Sequence, residues 1–215
     1  MNLNVIDATV AAKLLLLLLI GMGPKIALVP FLEKTKEFDA KTKAKIGRQM
    51  VLTAVITALI LFATGALLMR LLHITDGAVA VAGGIILSLL AIKMASGPTE
   101  KHDEDFGLAV DPERIAVFPL AVPYLLNPVG ITVLIMASGS VVSVTGAALV
   151  AGFILLVGAF DYLVFTNIDK LAKRMKPASL VVSEIVFGIL LTAVGVQLIV
   201  AGLGKLGIIA ASVPH

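Results

Sequence analysis

Long apolar runs separated by short polar loops make up most of the chain. The runs lack the alternation of apolar and polar residues that lipid-facing β-strands show. Six of them are about 20 residues long, the length that an α-helix needs to cross a bilayer. They cover residues 8–32, 47–70, 77–96, 115–137, 143–166 and 179–203. Because a backbone in lipid must satisfy its own hydrogen bonds, the pattern predicts an all-α integral membrane protein with one membrane domain.

The composition is consistent with the bilayer as the main solvent. Hydrophobic residues make up 59% and charged residues 14% of the 215-residue chain, whereas soluble domains carry about 25% charged residues. The net charge of +3 does not indicate nucleic-acid binding, because the basic residues lie in short loops between apolar runs. The chain has no Cys, and His73, His102 and His215 lie far apart in sequence, so we expect no metal site and no cofactor. No catalytic motif pairs a nucleophile with a base, so we expect no enzyme.

The first run has a second interpretation, as a cleaved secretory signal. Lys13 precedes an apolar stretch from Leu14 to Ile20 that resembles the basic flank and apolar centre of such a signal. No A-x-A cleavage motif follows, and Asp7 weakens the basic flank. We therefore interpret this run as a membrane span.

Positive charge predicts the orientation in the membrane. Loops 33–46 and 167–178, which an even number of spans places on one side, hold nine basic residues. By the positive-inside rule this side is cytoplasmic, so both termini of an inner-membrane protein would lie outside the cytoplasm. The third loop on this side, 97–114, is mainly acidic. We interpret it as a solvated connector, with a cation-collecting or regulatory patch as the alternative.

The two halves of the chain resemble each other. A shift of 104 residues takes Pro24 to Pro128, Arg70 to Arg174 and Gly84 to Gly188 without a gap. Because each half holds three runs, an odd number, the halves would have opposite orientations in the membrane. The sequence therefore predicts two inverted three-helix repeats, over about 8–96 and about 115–203, an arrangement common in transporters.

The aligned prolines predict breaks in the first and fourth spans. Proline removes a backbone N–H and its ring clashes with the preceding turn, while nearby glycine tolerates an unwound conformation. Broken helices in transporters direct their ends at a substrate site near mid-membrane. The alternative is an ordinary kink whose free backbone groups are satisfied by neighbouring helices. The sequences concerned are Gly23-Pro24-Lys25 and Asn127-Pro128-Val129-Gly130, with Pro30, Pro119 and Pro123 in the same spans.

Ionisable residues inside a span are hypotheses of function by default. Lys93 lies near a span end, where its stem can carry the ammonium group to the headgroups. Asp161 is too short to do so, and it either pairs with Lys25 or binds a proton or coupling ion; both interpretations stay open. The candidate site residues are Gly23, Pro24, Lys25, Asn127, Pro128, Gly130, Thr132, Asp161, Glu184 and Gln197.

Three stretches of the chain resemble the MarC family of integral membrane proteins. They are Ala82-Gly83-Gly84-Ile85-Ile86-Leu87, Phe118-Pro119-Leu120-Ala121-Val122-Pro123 leading to Pro128, and Gly188 to Gln197. The family is named for a multiple-antibiotic-resistance locus and is similar to the wider amino-acid and cation exporter superfamily. The resemblance implies six helices and, by analogy of fold, transport. The chain departs from the family pattern at Gly23, where members usually carry Asn, and at Asn127, where they carry Gly.

These observations lead to one functional prediction and one alternative. We predict a secondary transporter or exporter that moves a small polar solute or ion across the lipid bilayer, through a site formed by the two broken helices. The alternative is a non-transporting assembly or regulatory protein whose intramembrane charges hold helices together. A hydrated cavity at both breaks would favour transport, and a dry, packed bundle the alternative. The sequence leaves the oligomeric state open, a homo-oligomer included.

Overall fold

The computed structural model describes residues 8–95, 111–141, 143–172 and 177–209, and the regular structure in these ranges is helical. The side chains of residues 177–181 and 184 lie outside this description. A bent segment, Ala116–Leu125, joins the fifth helix to the sixth. The all-α fold class is confirmed. The helices are α1 (Ala8–Met22), α2 (Pro24–Thr35), α3 (Ala40–Leu71), α4 (Asp76–Ala95), α5 (Pro112–Ile115), α6 (Pro128–Ser140), α7 (Val144–Thr166), α8 (Ile168–Ala172) and α9 (Pro177–Lys205).

Five of the six predicted spans correspond to helices, or to the α1–α2 pair, long and apolar enough to cross a membrane. The fourth span, 115–137, is broken before Pro128, as the sequence predicts, and Pro112–Leu125 meets Pro128–Ser140 at 72°. Helix α6 has 13 residues and rises about 20 Å, which is less than the roughly 30 Å apolar thickness of a bilayer. This helix alone is therefore too short to cross.

Contacts with α3 show how far the α5–α6 pair extends along the bundle. At one end of α3, Lys45 forms an ion pair with Glu113 of α5 at 2.8 Å. Near the other end, the backbone N–H of Ala66 donates to the Ser138 hydroxyl of α6 at 2.9 Å. The two α3 positions are separated by about 30 Å of helix. The α5–α6 pair therefore runs the membrane-spanning length of α3, as a sixth, broken crossing.

The described residues of the two lysine-rich loops lie at the same end of the molecule, in agreement with the charge pattern. Lys43 at the start of α3 approaches Asp169 of α8 to 3.5 Å. At the opposite end, Lys205 of α9 lies 3.8 Å from Asp76 of α4. The acidic loop 97–114 lies outside the described residues except for its last four positions, where Asp111 caps α5 by accepting from the Glu113 N–H.

Helices α4 and α9 form an antiparallel pair that glycines bring into close contact. Gly77 faces Gly202, Gly84 faces Gly195, and Gly188 faces Ala91. A Cβ added at Gly188 would lie 2.8 Å from the Ala91 carbonyl oxygen, closer than side chains pack. Small residues let membrane helices approach in this way, because dispersion contacts rather than the hydrophobic effect drive their association.

Helix α3 contacts α6, α7 and the bent segment, and α1 packs against α6 and α7. The ring centroids of Phe31 and Phe165 are 5.1 Å apart, joining α2 to α7. Large apolar side chains remain exposed on the outer faces of the long helices, a surface that suits lipid rather than water. Examples are Leu16, Leu52, Leu89, Leu163 and Ile189.

Candidate functional site: the junction of the two broken helices

The first break is a single extended residue. Helix α1 ends at Met22 and α2 begins at Pro24, with Gly23 between them at φ −69° and ψ 158°. The Gly23 N–H still donates to the Leu19 carbonyl at 2.9 Å. Pro24 has no N–H to offer the Ile20 carbonyl, so this acceptor loses its usual helical donor.

The second break supplies the missing donors. Asn127 donates its side-chain Nδ2–H to the Ile20 carbonyl at 2.7 Å. The Asn127 backbone N–H donates to the Gly21 carbonyl at 2.9 Å. Two carbonyls freed at the first break are thus satisfied by one residue of the second.

Asn127 also caps the helix that follows it. Its Oδ1 accepts from the Val129 N–H at 2.8 Å and from the Gly130 N–H at 3.3 Å. Asn is among the best N-cap residues because it satisfies backbone donors that the first turn leaves free. Pro128 occupies the next position, where its missing N–H has no cost.

The backbones of α1 and α6 touch at the same point. A Cβ built at Gly21 would collide with the Gly130 backbone, and one at Gly130 would lie 2.9 Å from the Gly21 carbonyl carbon. We call Ile20–Pro24 together with Asn127–Gly130 the break junction. The two breaks therefore contact each other directly. From Gly21 to Gly23 and from Asn127 to Gly130 the junction is buried, and it leaves no space for a solute between Gly21 and Gly130 in this conformation.

The bend before Asn127 follows from two further prolines. The residues that precede them, Phe118 and Val122, are extended, at φ −137°, ψ 129° and φ −134°, ψ 124°. A residue before proline avoids the α conformation because the proline ring clashes with it. Both Phe118–Pro119 and Val122–Pro123 are cis.

Thr132 lies one turn into α6 and is buried against α4. A Cβ at Gly83 would collide with the Thr132 hydroxyl oxygen. Gly84, the residue after Gly83, faces Gly195 and Ile199 of α9. The adjacent glycines therefore fit α4 against α6 on one side and against α9 on the other.

Asp161 of α7 is fully buried, and neither carboxylate oxygen has a hydrogen-bond partner among the described residues. The proposed ion pair between Lys25 and Asp161 is wrong in this structure. Lys25 is exposed, and its Nζ lies 3.2 Å from the centroid of the Phe187 ring on α9. The cation is directed outward because Lys25 lies on the face of α2 opposite to its buried residues.

The other candidates are not brought to the break junction. Gln197 is exposed on α9, and Lys93 is exposed in the last turn of α4, where its stem can reach the headgroups. Glu184 belongs to α9, but its side chain lies outside the described residues.

Sequence reasoning missed the acceptors at the junction. The Ile20 and Gly21 carbonyls follow from the proline rule, because the fourth residue after Ile20 is Pro24. The sequence around Gly83 did not indicate its packing against α6, because this packing depends on Thr132, which lies 49 positions further along the chain.

Comparison with known proteins places this sequence in a family. Residues 8–206 match the description "MarC family integral membrane protein". The chain belongs to the MarC family. The match includes both breaks and all six predicted spans.

Three relatives illustrate the range of similarity within the family. A UPF0056 membrane protein of Methanocaldococcus jannaschii is 27% identical over 184 residues, which cover 85% of this chain and 90% of that protein. One from Pyrococcus horikoshii is 26% identical over 92% of this chain and 98% of its own length. One from Aquifex aeolicus is 30% identical over 66% of this chain and 68% of its own length. No solved structure matches the chain.

Proposed function

We propose that this MarC family protein is a secondary transporter or exporter of a small polar solute or ion. Its partners in this role are the bilayer and the solute, with no enzymatic step and no cofactor. The observation that carries the proposal is the break junction, where two discontinuous helices end against each other inside a largely apolar bundle. Backbone that leaves regular helix at membrane depth is a feature of substrate sites in transporters.

The contacts between α4 and α9 support the inverted repeat that such a mechanism uses. The shift of 104 residues that aligns the two halves takes Gly84 to Gly188 and returns Gly195 to Ala91. The contact between Gly84 and Gly195 therefore has the contact between Gly188 and Ala91 as its counterpart. Alternating access by such repeats proceeds as one half rocks against the other.

The close packing of the break junction favours a second candidate function. Asn127 uses its side-chain oxygen, its side-chain nitrogen and its backbone N–H within the protein. Gly21 and Gly130 are in backbone contact. A junction sealed in this way also suits a non-transporting assembly or regulatory protein. In the transporter proposal it is a closed state, and the hydrogen bonds of Asn127 must exchange when the site opens.

Flux measurements separate the two candidates. Purified protein in proteoliposomes is tested against a panel of amino acids, monovalent cations and drug-like solutes, with protein-free vesicles as the background. We expect uptake of at least one class, and at least a tenfold loss of that uptake in Asn127→Ala. Asn167→Ala is the matched control, because the Asn167 amide donates to the Leu163 carbonyl at an exposed helix end. Folded protein that moves no solute would support the assembly or regulatory function.

A further inference from the structure

Asp161 lies on the face of α7 that is turned into the protein. Three residues before it, Gly158 packs against Val55 of α3. Four residues after it, Phe165 packs against Phe31 of α2 and Gly47 of α3. A helix repeats its face at these spacings, so Asp161 is held between two apolar contacts with α2 and α3.

Among the described residues, the carboxyl group has no partner that would compensate an ionised form. Both oxygens are buried, and within the described residues no N–H or O–H donates to either of them. An isolated carboxylate in an apolar interior is far more costly than a neutral carboxylic acid. Asp161 therefore differs from Asn127, whose polar atoms are all used in hydrogen bonds.

The charged groups on the elements packed against α7 are all occupied or exposed. Lys43 of α3 lies beside Asp169 of α8, and Lys25 of α2 lies over the Phe187 ring. Tyr162, the neighbour of Asp161 on α7, is exposed. The remaining charged side chains on α1, α2, α3 and α8 are exposed: Lys13, Glu33, Lys34, Lys41, Lys45, Arg48, Arg70 and Lys170.

We propose that Asp161 is a proton-binding site within the membrane, and that the proton it carries is the coupling ion of transport. In the conformation described, the proton is bound to a carboxylate oxygen. When the site opens, the O–H bond breaks, the proton passes to water and the carboxylate becomes hydrated. Proton binding stands on the burial of Asp161, whereas coupling rests on the proposed transport function.

A proton fits this environment better than a metal cation. A dehydrated cation needs several oxygen ligands, of which one carboxylate supplies at most two. No hydroxyl, amide or second carboxylate among the described residues bonds to Asp161. A proton needs only the one oxygen to which it binds.

Carbodiimide labelling tests the proton site without any transport assay. Dicyclohexylcarbodiimide is apolar and reacts with a protonated carboxyl, which adds to its C=N bond and rearranges to a stable N-acylurea that peptide mass spectrometry locates. We expect labelling of Asp161 in the intact protein in detergent, and a decrease as the pH is raised from about 5 to about 10. Asp169, half-exposed beside Lys43, is the internal control and should remain unlabelled.

Three results would overturn the proton site. One is an unlabelled Asp161 in folded protein at every pH tested. Another is protection of Asp161 by Na⁺ or K⁺, but not by choline at equal ionic strength, which would indicate a cation site. The third comes from infrared spectra, in which a protonated Asp161 should give a carboxylic-acid C=O band in the wild type that Asp161→Asn lacks. If neither protein shows this band, Asp161 is not protonated. This readout is taken on variants whose circular dichroism is native, with Asp161→Glu as the variant that keeps the acid.

Coupling is tested in the same vesicles that report flux. In Asp161→Asn, solute uptake should lose its dependence on a pH gradient. Labelled Asp161 without flux of any solute would leave the proton site standing and defeat the transport function. Flux without proton dependence, with Asp161 unlabelled, would defeat this inference and leave transport standing.

Discussion

The side-chain amide of Asn127 donates a hydrogen bond to the backbone carbonyl of Ile20 at 2.7 Å, across 107 positions of sequence. The donor belongs to one broken helix and the acceptor to the other. The bond replaces the N–H that Pro24 lacks, so each break is completed by the other.

Removing this amide should destabilise the protein. Asn127→Ala deletes the cap of α6 and leaves the Ile20 carbonyl without a donor, and each loss typically costs about 1–2 kcal/mol. We expect a total loss of about 2–3 kcal/mol, measured by circular dichroism during denaturation in detergent.

The control is Asn167→Ala, in which an exposed amide of the same type is lost and stability should change by less than about 0.5 kcal/mol. Asn127→Asp keeps the cap but replaces the donor with an acceptor, so it should remain destabilised. Equal stability of Asn127→Ala and Asn167→Ala would show that the junction bonds are dispensable.

Gly21→Ala should be strongly destabilising, because its added methyl group meets the Gly130 backbone, which cannot rotate away. Overpacking of a core typically costs about 1–3 kcal/mol, and we expect the upper part of that range. Gly152→Ala on α7 is the matched substitution, since a Cβ there has no neighbour within 4 Å. It should be neutral or slightly stabilising, and comparable melting of the two variants would contradict the observed contact.

Lys25 and Asp161 should behave as independent sites. Lys25→Met removes a cation from the Phe187 ring, a contact of about 0.5–1 kcal/mol when exposed. A double-mutant cycle with Asp161→Asn should be additive within about 0.5 kcal/mol. If Lys25→Met instead rescued a strong destabilisation by Asp161→Asn, the two side chains would be paired in the membrane.

Cysteine labelling tests the orientation, because the chain has no native Cys that would react. A membrane-impermeant maleimide should label Leu72→Cys on intact cells, since residue 72 lies at the end of the molecule opposite the lysine-rich loops. Lys170→Cys, at the lysine-rich end, should react only after the membrane is opened. The reverse pattern would place both termini in the cytoplasm, against the positive-inside rule.

Asp39, the residue before α3, allows a test of how stability depends on pH at a site outside the membrane. Hydrogen bonds from the Thr42 hydroxyl and the Lys41 N–H lower the pKa of Asp39. A lowered pKa stabilises the folded state above the unfolded pKa, and this contribution disappears as the pH falls through the folded value. Asp39→Asn should therefore flatten the stability profile of the protein on the acid side of about pH 4, and an unchanged profile would contradict the cap.

The sequence by itself determined the helices and the location of both breaks. Hydropathy is summed along consecutive residues, so runs such as 143–166 predict Val144–Thr166 within a residue or two. The breaks also follow from covalent chemistry, because Pro24 and Pro128 lack an N–H wherever the chain folds.

Only the tertiary structure decided which groups complete the breaks and which charges meet. Alignment of the two halves of the sequence paired Pro24 with Pro128, yet the bonds run from Asn127 to Ile20 and Gly21, an asymmetry that this alignment does not contain. Lys25 lies seven residues and Asp161 five residues from the lysine-rich end of its predicted span. This depth does not fix the direction in which each side chain points. That direction is set by how the helices pack, and packing turns Lys25 outward to Phe187 and encloses Asp161 between α2 and α3.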